Sequence, residues 1–329
     1  MMRVKFALPK GSLEKPTLDI LTLSGYVIRG HERTYRPFIN DPQIELKMLR
    51  PQEIPIAVAE GLQDLGITGS DWVMETGVSV ETLLNLGYGR VRLVAAVPKE
   101  WERILCLSDL IRTFHDEGRI LRICTEYLNL STKKIMENPA YQELYGDKDP
   151  LMITPWWRKG SNSKVCLILS FGATEAKPPE NADAIIDLTE TGTTLEQNNL
   201  KVIEELYEST AILIANTESL SDSMKRLKIY DILTLLKGTI DAKKKLHIFL
   251  NVQRGNLEAL LANLPALKSP TISPLAGGDW FSVNTVIDRE DFLRLLPLLR
   301  RLAQGLVVHE PQQVLPLEEI ARTEGSAGP

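Results

Sequence analysis

Carboxylates, hydroxyls and a single glycine crowd into one short window of this chain. The apolar run Asp183 to Leu188 leads into Thr189-Glu190-Thr191-Gly192-Thr193-Thr194-Leu195. If a helix runs from Leu195 to about Leu206, the amides around Thr191 to Thr194 have no helical acceptors, and the positive end of the helix dipole lies beside the threonine hydroxyls. That combination suits a phosphate. Asp187 and Glu190 are then the candidate ligands of a Mg²⁺ that accompanies a phosphorylated sugar. The same turn would also serve as an ordinary threonine helix cap. It is not a nucleotide P-loop, because no Gly-Lys-Ser/Thr follows, and it is not a dinucleotide fingerprint, because Gly192 stands alone.

A phosphorylated substrate needs cations, and several stand at strand ends. Lys10, with Gly11 and Ser12, follows the strand-like Val4 to Leu8, and Arg50 follows Glu45 to Leu49. Open α/β sheets bind ligands at the carboxyl ends of their strands. A lysine neutralises phosphate as a point charge, and an arginine fork matches its oxygens. Arg92 is a further candidate. Glu175 follows a glycine turn and is placed to meet a ribose hydroxyl or a metal. Thr125-Glu126-Tyr127 ends another strand that would line a cleft, and Asp71 reads as a helix cap. No general base stands out.

Strands and helices alternate through the first two thirds of the chain, which predicts an α/β layered fold. The segment Tyr141 to Ser163, centred on Pro155-Trp156-Trp157-Arg158-Lys159-Gly160, reads as an insertion or long loop whose tryptophans cover an edge or a subunit contact. Asn216 to Ser223 reads as a linker and Met224 to about Lys244 as a helix. Beyond it the order is β-α-β-β-α-β, the ferredoxin-like pattern. The tail after Pro311 is expected to be disordered.

With 329 residues, the chain has room for two or three domains. A net charge of −5 speaks against general nucleic-acid binding, so an anionic ligand must be met by local cations. Cys106, Cys124 and Cys166 lie in apolar runs and read as buried free thiols; His31, His115, His247 and His309 lack zinc spacing. No run is long enough to span a bilayer, and the chain opens into a strand without an apolar signal region, so a cytoplasmic location is expected.

Asp187-Leu188-Thr189-Glu190-Thr191-Gly192-Thr193-Thr194-Leu195 resembles the signature loop of the ATP phosphoribosyltransferase family. Leu8-Pro9-Lys10-Gly11-Ser12-Leu13, Arg50 with Glu53-Ile54-Pro55, Gly61 to Gly69, and Gly172-Ala173-Thr174-Glu175 match further windows of that family. Ser269-Pro270-Thr271-Ile272-Ser273-Pro274-Leu275 resembles its long form, which adds a regulatory module similar to ACT domains. The resemblance implies a two-lobed α/β catalytic part like a periplasmic binding protein: lobe I from 1–96 and 199–218, lobe II from 97–198. An ACT-like domain over 224–311 and a tail over 312–329 follow. It implies condensation of ATP, through N1, with phosphoribosyl pyrophosphate, releasing pyrophosphate with Mg²⁺, and feedback inhibition by L-histidine in a homo-oligomer of two to six chains. It assigns catalysis to Lys10, Arg50 and Glu175. Phosphoribosyl pyrophosphate falls to Asp187 and Thr189 through Leu195, and ATP to Lys10, Gly11, Ser12, Arg50 and Arg92. Asp187 and Glu190 take the metal, and Ser273, Leu275 and Ala276 the effector. The resemblance departs in one respect: many phosphoribosyltransferases place two adjacent acids before the loop, whereas here they are split. The rival readings are a non-catalytic ligand sensor and a phosphoribosyltransferase acting on another base.

Overall fold

The computed structural model describes residues 2–265, 269–315 and 317. The chain divides into two compact units, one made of 5–16 and 46–219, the other of 1–4, 17–45 and 220–329.

The first unit is built on two sheets. The five-stranded sheet has the order Ile44–Leu49, Val4–Pro9, Leu65–Gly69, Ala211–Ala215, Glu81–Asn85. Its inner strands are nearly all apolar and buried, as expected of strands covered on both faces. The seven-stranded sheet has the order Arg158–Lys159, Pro150–Ile153, Asn162–Leu169, Leu121–Thr125, Ala184–Thr189, Val91–Pro98, Leu200–Ser209. The second to fifth of these strands are mutually parallel, and Val91–Pro98 runs antiparallel to both of its neighbours. Leu121, Ile123, Val165, Leu167, Ala184 and Ile186 pack against Leu107, Leu110, Ile111 and Phe114 of the helix Leu107–Asp116 in the main core of this lobe.

Several expectations need correction. The helix expected over 195–206 is only Thr193–Gln197, and Leu200–Ser209 is a strand. Its register shifts between Val202 and Glu204 and again between Glu205 and Tyr207. Two bulges break the two-residue alternation, so Leu200, Ile203 and Leu206 fall at a helix-like spacing. Strands Val91–Pro98 and Leu200–Ser209 both belong to the seven-stranded sheet, so lobe II spans about 91–209 rather than 97–198. Tyr141 to Ser163 is no insertion: the helix Pro139–Tyr145, capped by the Asn138 side chain, is followed by strands that complete that sheet's edge. Asn216 to Ser223 contains the short helix Thr217–Ser221.

In the second unit, Lys245–Gln253, Arg254–Leu261, Thr271–Pro274, Trp280–Asp288, Arg289–Leu302 and Ala303–His309 give the expected β-α-β-β-α-β order. The sheet order Thr271–Pro274, Trp280–Asp288, Lys245–Gln253, Ala303–His309, with all neighbours antiparallel, is ferredoxin-like. Leu246, Ile248, Leu250 and Val252 alternate inward onto Leu260, Leu295 and Leu299 of its two helices. Part of the expected tail is bonded rather than loose. The Gln312 and Gln313 side chains each donate to the Leu23 carbonyl at 3.1 Å, and Val314 N donates to Gly238 O at 2.9 Å. The rest of the tail, 316 and 318–329, lies outside the described residues. Among the described residues no helix is long and apolar enough to cross a membrane.

Candidate active site

The four parallel strands of lobe II end on one side of their sheet, each in a turn that carries polar or aromatic groups. Pro150–Ile153 gives Thr154 to Trp157, Asn162–Leu169 gives Ser170 to Glu175, Leu121–Thr125 gives Glu126 and Tyr127, and Ala184–Thr189 gives Glu190 to Thr194. This is the edge at which open α/β sheets hold ligands.

The hydroxyl-rich loop is internally braced. Gly192 N donates to Thr189 Oγ1 at 2.9 Å, and the Thr191 and Thr193 hydroxyls lie 2.9 Å apart. Gly192 adopts φ +84, a region glycine enters without the clash a Cβ brings. Thr191, Thr193 and Thr194 are exposed, while Leu195 is buried and anchors the turn. The helix is too short for much of a dipole, so an anion here depends on hydroxyls and first-turn amides.

Behind the loop stands Asp187. One carboxylate oxygen accepts from the Thr174 hydroxyl and the other from Leu188 N at 2.7 Å. Burial pushes its pKa up, the two hydrogen bonds pull it down, and Glu175 nearby raises it again. Glu126 is also pushed up, by burial first and then by Asp187, with Glu175 adding to it. Glu126, Glu175 and Asp187 therefore share one electrostatic neighbourhood, in which a cation would be welcome. Among the described residues, no group of three or more His, Cys, Asp or Glu side chains is arranged as a metal site.

In the other lobe, Lys10 and Arg50 come together. Lys10 N donates to Leu49 O at 2.8 Å, and a Cβ on Gly11 would lie 4.0 Å from Arg50 Nη1. Gly11 has φ +85. Lys10 Nζ is paired with Glu14 at 2.9 Å, whereas the Arg50 side chain is exposed and makes no ion pair among the described residues.

A cavity of about 320 Å³ joins the two lobes. It is lined by Ser12, Leu13, Pro51, Gly69, Asp71, Trp72, Arg90, Tyr127, Leu188 and Glu190, among others. Ser12 and Glu190, anticipated on separate windows, thus face one space. Arg92 does not line it: its guanidinium pairs with Glu205 on the neighbouring strand. Arg90, two residues earlier, is on the wall and pairs with Glu208 at 2.6 Å.

Sequence reasoning gave Asp71 only a capping role. It is buried and accepts the Tyr127 hydroxyl at 2.9 Å from the opposite lobe; it also accepts from Ser209, whose hydroxyl takes the Asp71 amide at 3.1 Å. Burial raises the Asp71 pKa, and those hydrogen bonds partly offset it. Burial and the facing Asp71 likewise raise that of Tyr127. Trp72 packs on the Tyr127 ring at 4.6 Å. Glu75, on the same short helix Ser70–Thr76, accepts the amides of Asn129 and Leu130 at 3.0 and 2.9 Å. No spacing rule announces a contact whose partners lie so far apart in sequence.

Residues 50–238 match the family model described as ATP phosphoribosyltransferase, and 242–310 match the model of that family's C-terminal domain. The chain belongs to the ATP phosphoribosyltransferase family. A relative from Solibacter usitatus (strain Ellin6076), named ATP phosphoribosyltransferase, is 39% identical over 94% of this chain and 98% of its own length. One of the same name from Pelotomaculum thermopropionicum is 36% identical, again over 94% and 98%. Among solved structures, the ATP phosphoribosyl transferase (HisG:HisZ) complex from Thermotoga maritima matches with a TM-score of 0.54 and 25% identity. It covers 72% of this chain and 98% of that one. As an ATP phosphoribosyltransferase, a glycosyltransferase-class enzyme, the protein joins ATP to phosphoribosyl pyrophosphate in the first step of histidine biosynthesis. The sensor reading and the other-base reading are set aside.

Proposed function

We propose that the inter-lobe cleft carries out this transfer with phosphoribosyl pyrophosphate on lobe II and the ATP phosphates on lobe I. The observation that carries the reading is the single cavity that both Ser12 and Glu190 line. The 5-phosphate of the sugar is held by Thr189 through Leu195, by hydroxyls and first-turn amides. Lys10, Gly11, Ser12 and Arg50 receive the triphosphate, Arg50 as the guanidinium fork open to solvent. Arg90, on the cavity wall, is a better candidate than Arg92. Glu175, with Glu126, faces the ribose hydroxyls.

The reaction forms a bond from adenine N1 to C1 of the sugar as the bond from C1 to the pyrophosphate oxygen breaks. The electron pair leaves with pyrophosphate, so the demand is for positioning and for cations at the leaving group rather than for a base. Asp187 and Glu190 offer hard carboxylate oxygens of the kind Mg²⁺ takes together with substrate phosphates, Glu190 from the cavity wall. When bound, Mg²⁺ would supply charge neutralisation on the pyrophosphate.

The C-terminal module is proposed to hold a homo-oligomer of two to six chains and to bind L-histidine. Ser273 lies on the exposed edge strand Thr271–Pro274, where backbone groups are open to a second copy. Leu275 and Ala276 lead from it into a turn whose Gly277 and Gly278 have φ +104 and +82. The cytoplasmic location stands as part of the same reading.

The test is pyrophosphate release by purified protein with Mg²⁺, phosphoribosyl pyrophosphate and ATP. Thr191→Val and Thr194→Val should each raise KM for phosphoribosyl pyrophosphate about tenfold or more, the worth of a charge-assisted hydrogen bond. Wild-type affinity in both variants would reduce the loop to a helix cap.

A further inference from the structure

We propose that Trp156 and Phe171 form the platform on which the purine ring of ATP stacks. The proposal rests on the assignment of the Thr189 to Leu195 loop to the phosphoribosyl group, and it names residues that no family motif in this chain covers.

Two large aromatic rings stand in the open side by side. Trp156 is 73% exposed and Phe171 70%, with their ring centroids 5.9 Å apart and an interplanar angle of 75°. One ring thus forms a floor and the other a wall. Other large apolar side chains are exposed too, but these two meet ring against ring in one patch.

Each ring is held on a fixed turn. The Thr154 hydroxyl accepts the amides of Trp156 and Trp157 at 3.2 and 3.0 Å, and Thr154 N donates back to Trp157 O at 3.0 Å. Phe171 sits between Ser170, whose hydroxyl donates to Gly172 O at 3.2 Å, and two residues at positive φ, Gly172 and Ala173. The backbone does the positioning, so the rings are presented rather than loosely tethered.

Their place in the sheet points to the ligand. Both turns leave the carboxyl ends of adjacent parallel strands, Pro150–Ile153 and Asn162–Leu169. The strand of Asp187 lies two positions beyond that of Phe171, with Leu121–Thr125 between them. At roughly 4.8 Å per strand that is about 10 Å. The segment that carries Phe171 reaches the same acids directly, because Thr174 donates to Asp187 and a Cβ on Gly172 would lie 3.6 Å from Glu126 Oε1. In this reaction the base must lie over C1 of the sugar. A bicyclic ring whose N1 points at that sugar has a length of the same order, which brings the aromatic corner within its reach.

Stacking on aromatic rings holds any base by its face, and alanine substitution in such platforms costs enough to weaken binding about tenfold. Trp156→Ala and Phe171→Ala should each raise KM for ATP about tenfold. KM for phosphoribosyl pyrophosphate, kcat and inhibition by inorganic tripolyphosphate should stay within twofold. Trp156→Tyr should restore most of the loss, since it restores a stacking face. AMP titrated into wild-type protein should quench tryptophan emission, and Trp156→Tyr should remove most of that quenching.

Unchanged KM for ATP in both alanine variants would overturn the proposal. Equal rises in both KM values would do so too, as would a smaller assembly by light scattering whose ATP binding recovers at high protein concentration. That last result would make the corner a subunit contact. Failure of the loop assignment is separable: it appears as wild-type affinity for phosphoribosyl pyrophosphate in Thr191→Val and Thr194→Val, whereas the AMP quenching needs no phosphoribosyl group.

Discussion

Tyr127→Phe is the sharpest probe of how the two lobes of the catalytic unit are tied. The change deletes one oxygen and keeps the ring, so the packing on Trp72 at 4.6 Å survives. What goes is the 2.9 Å hydrogen bond to Asp71 Oδ2, between groups that are each 3% exposed. A hydrogen bond to a charged partner is worth about 1.5–3 kcal/mol. Asp71 retains the Ser209 hydroxyl and the cavity beside it admits water, so we expect about 1.5–2 kcal/mol, the lower part of that range. The assay is urea unfolding of wild type, Tyr127→Phe, Asp71→Asn and the double variant, which isolates the pairwise coupling. The pH dependence has a definite sign. The tyrosine hydroxyl favours the charged carboxylate, so its deletion lifts an already raised Asp71 pKa further. The penalty is therefore full above the variant's further-raised Asp71 pKa. It shrinks as pH falls from there to the wild-type pKa of Asp71, itself above the ordinary carboxylate range, and is gone below it. A coupling below about 0.5 kcal/mol at neutral pH, or a penalty that grows on acidification, would refute the reasoning.

Gly192→Ala places a Cβ where φ is +84 and no atom lies within 4 Å, so the strain is conformational and worth about 1–2 kcal/mol; KM for phosphoribosyl pyrophosphate should rise while circular dichroism stays unchanged. Chelation of Mg²⁺ by EDTA should abolish pyrophosphate release, and added Mg²⁺ should restore it. Millimolar L-histidine should slow steady-state turnover of the full chain, with calorimetry detecting its binding; an unchanged rate and no heat would leave the C-terminal module a structural role.

How much of this was legible in the sequence depended on how local the cause was. The C-terminal strands were readable because Lys245–Gln253 alternates buried and open residues without interruption. Gly192 and its threonines were readable because a turn is written in adjacent residues. Leu200–Ser209 was misread because two bulges give it a false helical period, which only pairing with Val91–Pro98 exposes. Arg92 was a candidate from the sequence and Arg90 was not, although both are cations near a strand start. Only the positions of Glu205 and Glu208 and of the cavity wall separate them. The Asp71–Tyr127 bond was illegible because nothing in either neighbourhood names the other. Of the aromatic corner the sequence showed only Trp156, read with Trp157 as cover for an edge or a subunit contact, because nothing local links it to Phe171.

The strand order of the five-stranded sheet has a bearing on how the chain is made. Ala211–Ala215 lies between Leu65–Gly69 and Glu81–Asn85, and it is their shared partner. On a ribosome, Glu81–Asn85 emerges early and then waits through all of lobe II for the segment that will pair with it. Lobe II, by contrast, is one uninterrupted stretch and can collapse as soon as it is released. The first-made lobe should therefore finish last, with its apolar strands open to chaperones or to misassociation in the meantime. A ribosome-bound chain arrested before Ala211 should show protease-resistant lobe II beside a still-cleavable amino-terminal region, and release past Ala215 should protect both.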